Sequence, residues 1–394
     1  MHPLTGVRVI DFTRVLAGPF CTMNLADMGA DVIKVESTRG GDDTRAWGPP
    51  FVGGESAYFL CVNRNKRSIA VDLKTEEGRR IAQGLIARAD VVVHNFLPRS
   101  AEKLGLLYDQ VKMVNPDVIY CSISGFGNRE NVPGYDYILQ AIGGLMSITG
   151  EPDGDPMKVG VAITDLFTGL YAAVAILNAL IHRMRSGVGQ EIDIALYDAQ
   201  IAMLSNVASN VLVSGQDARR LGNAHPNIVP YQTFKTRDGQ VVIAVGNDSQ
   251  FHAFCRALDL ESVADHPDYA TNDRRVENRG RLIPLLEQHL RTFSTDEVLG
   301  RLRPAGVSCG PVRSVGEALS APETAMRNML WTVQHSTAGD LTLVGSPLKL
   351  AATPARNHLP PPRLGEHTRE ILRAQGYLEE DIKWLEQKGV VFAC

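Results

Sequence analysis

The chain has 394 residues, of which 44% are hydrophobic and 21% are charged, and its formal net charge at pH 7 is −4. This composition is ordinary for a soluble globular enzyme, and the length is sufficient for two domains. The slight negative charge offers no overall basic field for a nucleic acid, so any anionic ligand has to be held by local basic groups or helix N-termini.

The six cysteines are scattered without a CxxC motif, which predicts free thiols in a reducing compartment and neither a disulfide framework nor a metal site. The chain begins almost directly with a strand-like segment, so no signal peptide is expected. The longest apolar stretch, Leu166–Ile181, contains polar residues and precedes a His-Arg-Met-Arg run, and we interpret it as a buried core helix. A cytoplasmic protein that binds neither membranes nor nucleic acids is therefore expected.

The first half of the chain alternates predicted strands and helices. In chain order, these are a strand at Val7–Phe12, a helix at Phe20–Met28, strands at Asp31–Glu36 and Ser68–Leu73, a helix at Thr75–Ala89, strands at Asp90–Phe96 and Asp117–Ser122, a helix at Asp165–Ser186, a strand at Glu191–Leu196 and a helix at Tyr197–Ser214. Apolar runs such as Val91–Val93 lack a period of two, which indicates strands covered on both faces. The alternation predicts an α/β fold with a Rossmann-like, doubly wound parallel sheet.

From about Gly222 the pattern is typical of a smaller α+β domain. Asp238-Gly239 between two apolar runs predicts a hairpin, and Ser294–Glu297 predicts a capping box at the start of a helix. A second hairpin is expected over Trp331–Leu350, followed by two short helices. The predicted domains are a large one at 1–200, completed by 330–394, a linker at 201–224, a small one at 225–325 and a return segment from 326.

The motifs of common nucleotide sites are missing from the sequence. The loop after the first predicted strand reads Thr13–Pro19 without GxGxxG, and no GxxxxGK[ST] occurs, which disfavours a standard dinucleotide site and a P-loop. Basic residues follow several predicted strands, and two others, Lys66 and Arg67, precede the third. The carboxyl ends of parallel strands meet at one edge, where such residues can hold phosphates. For each one, solvated surface charge is the alternative. These residues are Arg39, Arg45, Lys66, Arg67, Lys74, Arg99 and Lys103.

Asp165 stands at the start of the nearly all-apolar helix that runs to Ser186. One interpretation is a helix N-cap, a frequent use of aspartate. The other is a carboxylate that the helix N-terminus keeps ionised while apolar neighbours leave it poorly solvated, which makes it a nucleophile toward an acyl group. The residues alone leave both interpretations open.

Several motifs in combination resemble the family III coenzyme A transferases, a group that includes formyl-CoA and carnitine CoA-transferases. The segments that carry the resemblance are Val9–Pro19, Gly29–Glu36, Gly41–Arg45, Asn65–Ser68, Asn95-Phe96, Gly134–Asp136 and Leu364–Thr368. The resemblance covers essentially the whole chain. It implies a large Rossmann-like domain made from both chain ends, a small domain between long linkers, and a homodimer of two interlocked subunits.

The resemblance also implies a site. Asp165 corresponds to the covalent nucleophile, which carries an acyl group and then coenzyme A; acyl-CoA and small carboxylic acids are the substrates, and no permanently bound cofactor or metal is expected. Lys103 stands where formyl-CoA transferase has an arginine, which keeps the charge but not the bidentate fork. The residues implied to bind CoA are Val15, Arg39, Leu73, Lys74, Asn95, Phe96, Lys103, Tyr135 and Asp136.

The related α-methylacyl-CoA racemases have a histidine at the position of Tyr135, where it serves as an acid/base partner of the aspartate. A tyrosine hydroxyl, with an ordinary pKa of about 10, is a poor substitute, so we expect a transferase. A racemase, or a CoA-binding protein without catalysis, remains the alternative. Among transferases, the succinyl-CoA:dicarboxylate branch is most similar, which implies glutarate-like acceptors. The candidates near the acceptor are Leu16, Arg14, Arg45 and His225.

Overall fold

The computed structural model describes residues 2–128, 130–356 and 358–394. Two units make up the chain: Met1–Leu145, Val159–Ser209 and Pro322–Cys394 form the first, and Met146–Lys158 and Asn210–Ala321 form the second. Hydrogen bonds from Arg220 to the carbonyls of Glu151 and Gly154 hold Met146–Lys158 within the second unit. The predicted domain boundaries assign this segment to the large domain instead; the division into domains stays a prediction.

The strands, in chain order, are β1 (Arg8–Asp11), β2 (Asp31–Glu36), β3 (Phe51–Val52), β4 (Glu55–Ser56), β5 (Lys66–Val71), β6 (Val91–His94), β7 (Ile119–Ser124), β8 (Glu191–Ala195), β9 (Tyr231–Lys235), β10 (Gln240–Ala244), β11 (Ser308–Pro311), β12 (Leu330–His335), β13 (Gly339–Val344) and β14 (Val391–Phe392). The helices are α1 (Ala17–Asp27), α2 (Ala57–Leu60), α3 (Glu76–Ile86), α4 (Pro98–Leu104), α5 (Tyr108–Val114), α6 (Asp136–Ile142), α7 (Ile163–Ser186), α8 (Leu196–Met203), α9 (Ser205–Ser214), α10 (Asp248–Ala257), α11 (Glu261–Ala264), α12 (Asn272–Glu277), α13 (Arg279–Leu290), α14 (Thr295–Leu302), α15 (Val315–Leu319), α16 (Pro322–Met326), α17 (Thr368–Gln375) and α18 (Glu379–Gln387). Short 3-10 turns cover Asp43–Ala46 and Met146–Ile148.

The first unit is built around a seven-stranded sheet in the order β14-β5-β2-β1-β6-β7-β8. All neighbouring pairs are parallel except the edge strand β14, which runs antiparallel to β5. Numbered along the chain, the parallel strands lie in the order 3-2-1-4-5-6, which is the order of doubly wound folds. The prediction of an α/β fold with a large parallel sheet is confirmed, whereas β14 is an element that the sequence pattern does not predict.

Both faces of this sheet are covered by apolar side chains. On β1, Val9 packs into a cluster with residues of α1 and α7, whereas its neighbour Ile10 packs into a cluster with residues of α3, α17 and α18; both are fully buried. The three valines of Val91–Val93 alternate between the same two clusters. This two-sided burial explains why the strands read as uninterrupted apolar runs.

The second unit contains the antiparallel sheet β11-β10-β9 with helices packed on it. The predicted hairpin is present as β9 and β10, and Ser294 and Glu297 form the predicted capping box of α14. The helical segment from Asn272 to Leu290 is divided into α12 and α13. In the first unit, the helix predicted at Tyr197–Ser214 is likewise divided, at Ser205, whose φ of 44° is incompatible with a continuous helix.

The helix α7 has 24 residues, and an 18-residue window within it has a mean hydropathy of 1.6. By length and composition alone, such a helix is able to cross a membrane. A core helix passes the same test, and 44% of that window is buried. Ala172 and Ile176 pack in the core beside α1. One face of α7 is thus buried in the core, whereas the opposite side exposes apolar residues at helical spacing. This α7 apolar face consists of Leu170, Tyr171, Val174, Leu177 and Ile181.

Candidate active site

The loop after β1 lies where the strand order reverses, between β1 and β6, and in doubly wound sheets ligands bind at this point. Val15 in this loop has φ of 71°, a strained conformation for a β-branched residue. The Val15 N–H donates to Asp42 Oδ1 at 3.2 Å. The Asn95 side chain, which follows β6, binds the main chain of Arg14 at both its N–H (3.0 Å) and its carbonyl (2.7 Å). The loops after the two strands are thereby tied together.

A buried ionic network supports this loop from below. Lys34 Nζ donates to the carbonyl of Thr13 and to Asp42 Oδ2, each at 2.9 Å. Asp11 accepts from the Thr13 N–H at 2.9 Å and from Lys66 Nζ at 3.2 Å. All five residues are buried, so loss of one partner leaves a buried charge unpaired. Lys66 is therefore an internal ion-pair partner and does not serve a ligand.

A close approach of two helices places α7 against the same loop. A Cβ atom added at Gly169 would lie 2.5 Å from the carbonyl oxygen of Ala17, the first residue of α1. Only a glycine permits that approach without displacing the backbone. Because Asp165 lies one turn before Gly169 on α7, this contact brings its carboxylate beside the Val15–Ala17 segment.

Asp165 is the third residue of α7, and the residue at the N-cap position is Ala162. The helix begins two residues earlier than predicted, and so the N-cap interpretation of Asp165 is wrong. The flanking residues Ala162 and Leu166 pack in an apolar cluster around Leu16. Burial and then the charge of Asp136 raise the pKa of the half-buried Asp165 to about 7. The site holds a carboxylate that titrates near neutrality.

Asp136, the first residue of α6, is bound to the N-terminus of α7. Its Oδ1 accepts from the backbone N–H groups of Thr164 (2.8 Å) and Asp165 (3.4 Å). Its Oδ2 accepts from the side-chain amide of Gln140 at 2.7 Å, and Gln140 Oε1 accepts from the Val159 N–H at 2.9 Å. Gln140 is fully buried. These bonds fix the entry of the chain into α7 and hold a second negative charge close to Asp165.

Asp165 lines a cleft of about 300 Å³, which we call the Asp165 cleft. A second cleft of about 600 Å³, the lysine cleft, lies beside it, and the two share Arg14, Phe96 and Ser100. The lysine cleft extends over the carboxyl ends of β2 and β5. Besides the shared Arg14, its cationic side chains are Lys74, Arg79, Lys103 and the buried Lys34. The Asp165 cleft is further lined by Val15, Leu16, Ala17, Asn95, Pro133, Gly134 and Tyr135.

The structure brings most of the predicted site residues to these clefts. Val15, Leu16, Asn95 and Tyr135 line the Asp165 cleft, Leu73, Lys74 and Lys103 line the lysine cleft, and Arg14 and Phe96 line both. Asp136 contacts the backbone of Asp165. Arg39 is exposed on the turn after β2 and lines neither cleft.

Arg45 is not placed to bind a substrate. Its guanidinium makes bonds of 2.8 Å to both carboxylate oxygens of Glu36, a third of 3.1 Å to Glu55, and lies 3.6 Å from the centre of the Phe59 ring. The prediction that Arg45 holds a carboxylate of the acceptor is therefore wrong, because buried protein carboxylates already occupy it. His225 belongs to the second unit, and its carbonyl accepts from Arg279 at 3.2 Å.

Tyr58 is a residue of this region that the sequence pattern does not single out. It packs in the same apolar cluster as Leu16 and Leu166, and burial and then the nearby Asp165 charge raise its pKa to about 12. The phenol is consequently a hydrogen-bond donor at neutral pH. Its position depends on the T-shaped contact with Trp47 at 5.2 Å, a pairing that no local pattern predicts. Among the described residues, no group of three or more His, Cys, Asp or Glu side chains is arranged to hold a metal ion.

Comparison with known proteins gives consistent matches. The family model described as CoA-transferase family III matches residues 4–368. The succinate–glutarate CoA-transferase of Agrobacterium fabrum is 47% identical over 94% of this chain and 95% of that protein. The succinyl-CoA:glutarate CoA-transferase of Homo sapiens is 44% identical over 99% of this chain and 90% of that protein. A crystal structure of a CAIB/BAIF family protein from Brucella suis is similar with a TM-score of 0.84 and 44% identity, covering 95% of this chain and 99% of that one.

Proposed function

The chain belongs to CoA-transferase family III, and on that premise we propose that it transfers coenzyme A from succinyl-CoA to a dicarboxylic acid such as glutarate. The enzymes named for this exchange in Agrobacterium fabrum and Homo sapiens are 47% and 44% identical to it. The observation that carries the proposal is the position of Asp165, a half-buried carboxylate in a cleft that adjoins a second, cationic cleft.

In the first half of the proposed reaction, the Asp165 carboxylate attacks the thioester carbonyl of succinyl-CoA. The C–S bond breaks, coenzyme A leaves as a thiolate, and Asp165 is joined to the succinyl group as a mixed anhydride. The thiolate then attacks the Asp165 side-chain carbonyl and releases succinate. The product of this half is a thioester between Asp165 and coenzyme A.

In the second half, a carboxylate of the acceptor attacks the Asp165 thioester and expels the thiolate again. A new anhydride forms between Asp165 and the acceptor. Attack of the thiolate on the acceptor carbonyl gives the new acyl-CoA and returns Asp165 as a carboxylate. Because one thioester is exchanged for another, the reaction requires no nucleotide hydrolysis and no metal.

The surroundings of Asp165 suit this chemistry. Anhydride and thioester intermediates hydrolyse readily, so the site has to keep water away, and the apolar cluster of Leu16, Ala162 and Leu166 flanks the carboxylate. The Tyr58 phenol packs in the same cluster and stays protonated at neutral pH, so it adds no negative charge beside Asp165.

The lysine cleft is suited to the phosphates of coenzyme A. Cationic side chains line it near the carboxyl ends of parallel strands, and they are Lys74, Arg79 and Lys103 together with the shared Arg14 and the buried Lys34. Phe96 and Arg14 border both clefts, so a CoA thioester with its phosphates beside the lysines can extend past Phe96 and place its thioester at Asp165.

Arg14 is the residue that we assign to the distal carboxylate of the acceptor. It lines the Asp165 cleft, and its exposed ion-pair partner Asp43, at 3.2 Å, is readily exchanged for a substrate carboxylate. Arg45 is held by Glu36 and Glu55. A dicarboxylate preference follows, because only an acid with a second carboxylate gains from this arginine.

Intact-protein mass spectrometry with succinyl-CoA tests the proposal. We expect an adduct with the mass of coenzyme A minus water on Asp165, and its loss with at least a thousandfold fall in kcat in Asp165→Asn, since the nucleophile is removed. Asp198→Asn is the matched control, because Asp198 is also the third residue of its helix, α8, but is exposed. Full transfer activity in Asp165→Asn would overturn the proposal.

The racemase alternative rests on the near-neutral titration of Asp165, which suits proton transfer as well as nucleophilic attack. Incubation of a 2-methylacyl-CoA in deuterium oxide separates the two reactions. Deuterium incorporation at the α-carbon without exchange of coenzyme A between acids would favour the racemase. Exchange among succinate, glutarate and acetate, without deuterium incorporation, supports the transferase.

We further propose a homodimer of interlocked subunits in which a second subunit covers the α7 apolar face. The face presents five large apolar side chains at helical spacing, including Leu170 and Val174, and such continuous patches are unusual on a monomer. Light scattering after size-exclusion chromatography is expected to give twice the monomer mass of 42.9 kDa. Val174→Glu would yield monomers, and a monomeric parent protein would refute the dimer.

A further inference from the structure

His94, the last residue of β6, lies buried beside the clefts and has no part in the reaction described above. Its Nδ1 accepts a hydrogen bond from the Phe96 N–H at 3.2 Å. Its Nε2 is hydrogen-bonded to the hydroxyl of Tyr120, and this hydroxyl donates to the carbonyl of Leu106 at 2.7 Å. The bonds form a chain from Leu106 on the α4–α5 connection to the segment after β6.

The donors in this chain of hydrogen bonds allow only one protonation state of the His94 imidazole. The Tyr120 hydroxyl has one proton, which the Leu106 carbonyl takes, so His94 Nε2 has to be the donor to Tyr120. The Phe96 N–H is a donor, so Nδ1 has to be unprotonated. The geometry thus fixes the neutral tautomer with its proton on Nε2. Burial lowers the pKa of His94 to about 4, which is consistent with a neutral ring.

This chain of hydrogen bonds ends at Phe96, the residue that borders both clefts. Phe96 lines the Asp165 cleft and the lysine cleft, and its ring stacks on His94 with a centroid distance of 6.0 Å and an interplanar angle of 18°. The intervening Asn95 binds the Arg14 main chain on both sides. The hydrogen bond and the ring contact of His94 therefore fix the position of Phe96.

We propose that His94, in its Nε2-protonated neutral form, is a positioning residue for CoA binding, which with Tyr120 holds Phe96 at the junction of the two clefts. The inference rests on the proposed function, because it requires that the CoA thioester pass Phe96. Its effect falls on binding of the thioester and not on the attack by Asp165, since His94 lines neither cleft.

Four variants test this assignment. Tyr120→Phe removes the acceptor of the Nε2 proton, and His94→Gln removes the Nδ1 acceptor of the Phe96 N–H. His94→Asn is conservative, because an asparagine oxygen readily accepts from the N–H two residues on, as Nδ1 does here. Tyr108→Phe is the matched control. The Tyr108 ring packs against Tyr120 in a tilted contact with a centroid distance of 5.5 Å, and Tyr108, Tyr120 and His94 line one side cavity of about 220 Å³. Tyr108 is nevertheless outside the hydrogen-bond chain from Leu106 to Phe96.

We expect the KM for succinyl-CoA to rise about tenfold in Tyr120→Phe and His94→Gln, the effect of one lost hydrogen bond, with kcat changed less than twofold. His94→Asn keeps an acceptor for the Phe96 N–H but loses the bond to Tyr120, so its KM is expected to be no higher than that of His94→Gln. Tyr108→Phe is expected to stay within twofold of the parent KM. Nitrogen-15 NMR of labelled histidine is expected to show His94 protonated on Nε2 at pH 7. This signal is identified by its loss in His94→Gln and reports on the folded protein independently of activity.

An unchanged KM in both Tyr120→Phe and His94→Gln, or an Nδ1-protonated ring, would overturn the inference while the parent enzyme remains active. A parent protein without transfer activity would instead refute the proposed function, and the NMR signal would still report the tautomer. A parallel fall of kcat and thermal stability in all four variants, the control included, would show that the effect is only structural and would also overturn the positioning role.

Discussion

Asp136 accepts a hydrogen bond from the backbone N–H of Asp165 at 3.4 Å, and after burial its charge is the second cause that raises the pKa of Asp165 to about 7. The same carboxylate that fixes the start of α7 thus opposes ionisation of the side chain that α7 presents. Since attack on a thioester requires the ionised form, Asp136 sets the pH range in which Asp165 can act.

Asp136→Asn is expected to shift the pH profile. The amide oxygen can still accept from the N–H groups of Thr164 and Asp165, but the charge is gone, so the pKa of Asp165 falls. From the Asp165 pKa of about 7, we expect the acid limb of kcat/KM for succinyl-CoA near pH 7 in the parent enzyme, and in Asp136→Asn it should move to lower pH by roughly one unit. An initial-rate series from pH 5 to 9 measures it, and an unmoved limb would contradict the electrostatic role.

Asp165→Asn is expected to stabilise the protein at pH 8. The folded pKa of about 7 lies above the ordinary 3.8, so between these values the folded state binds more protons and the free energy of unfolding falls as pH rises. Removing the carboxyl group should increase that free energy by about 1–3 kcal/mol above pH 7 and change little below pH 4. Denaturant titrations at pH 4 and 8 give the comparison, with Asp198→Asn as the exposed control. If the parent protein and Asp165→Asn had equal free energies of unfolding at pH 8 as well as at pH 4, the buried position of the charge would be contradicted.

Gly169→Ala is expected to impair both stability and activity. The new methyl group would lie 2.5 Å from the Ala17 carbonyl, so α7 has to move from α1 at a cost of about 1–3 kcal/mol. Asp165 moves with the helix, and kcat should fall at least tenfold. Gly160→Ala is the control, because a Cβ there meets no atom within 4 Å. Thermal unfolding and kcat for both variants test the difference, and similar behaviour of the two would argue against the close contact.

Arg14→Gln is expected to change substrate binding, whereas Arg45→Gln is expected to change the stability of the protein. Arg14→Gln should raise the KM for glutarate about tenfold but that for a monocarboxylate less than twofold, since only the distal carboxylate is affected. Arg45→Gln leaves the buried Glu36 without its partner and should lower the free energy of unfolding by about 3–5 kcal/mol. Kinetics with paired acids and urea denaturation distinguish them. Equal effects of Arg14→Gln on both acids would remove Arg14 from the acceptor site.

Much of the first unit is predictable from local patterns. The strand Asp31–Glu36 has the predicted bounds. A helix is predicted to begin at Thr75, and Thr75 is the N-cap of α3, where its side chain accepts from the Gly78 N–H at 3.0 Å. Such features depend on residues close in sequence. The edge strand β14 has only two residues, and its pairing with β5 depends on a contact across more than 300 positions, which no local periodicity indicates.

The site is predictable in part, for the same physical reason. Family motifs identify Asp165 and the loop after β1, but they do not show which charged groups neutralise each other in the interior. Arg45 is an example: its selection as a ligand fails because Glu36 and Glu55, nine and ten residues away, reach it in three dimensions. Gln140 is another example. No sequence pattern indicates that its side-chain amide is buried, because that burial depends on its hydrogen bonds to Asp136 and Val159.

The antiparallel strand β14 has a consequence for biosynthesis. Val391 pairs with Val71, and the Thr368 hydroxyl bonds both the Ala70 N–H and the Phe392 carbonyl. The sheet that begins with β1 is thus completed by residues that leave the ribosome after the whole of the second unit has been made. During synthesis, the β5 edge of the first unit's sheet therefore stays unpaired until β14 has been made. The second unit consists mostly of one continuous segment, so it can fold before then. A ribosome stalled before residue 391 would carry a chain whose active-site sheet still lacks its outer strand.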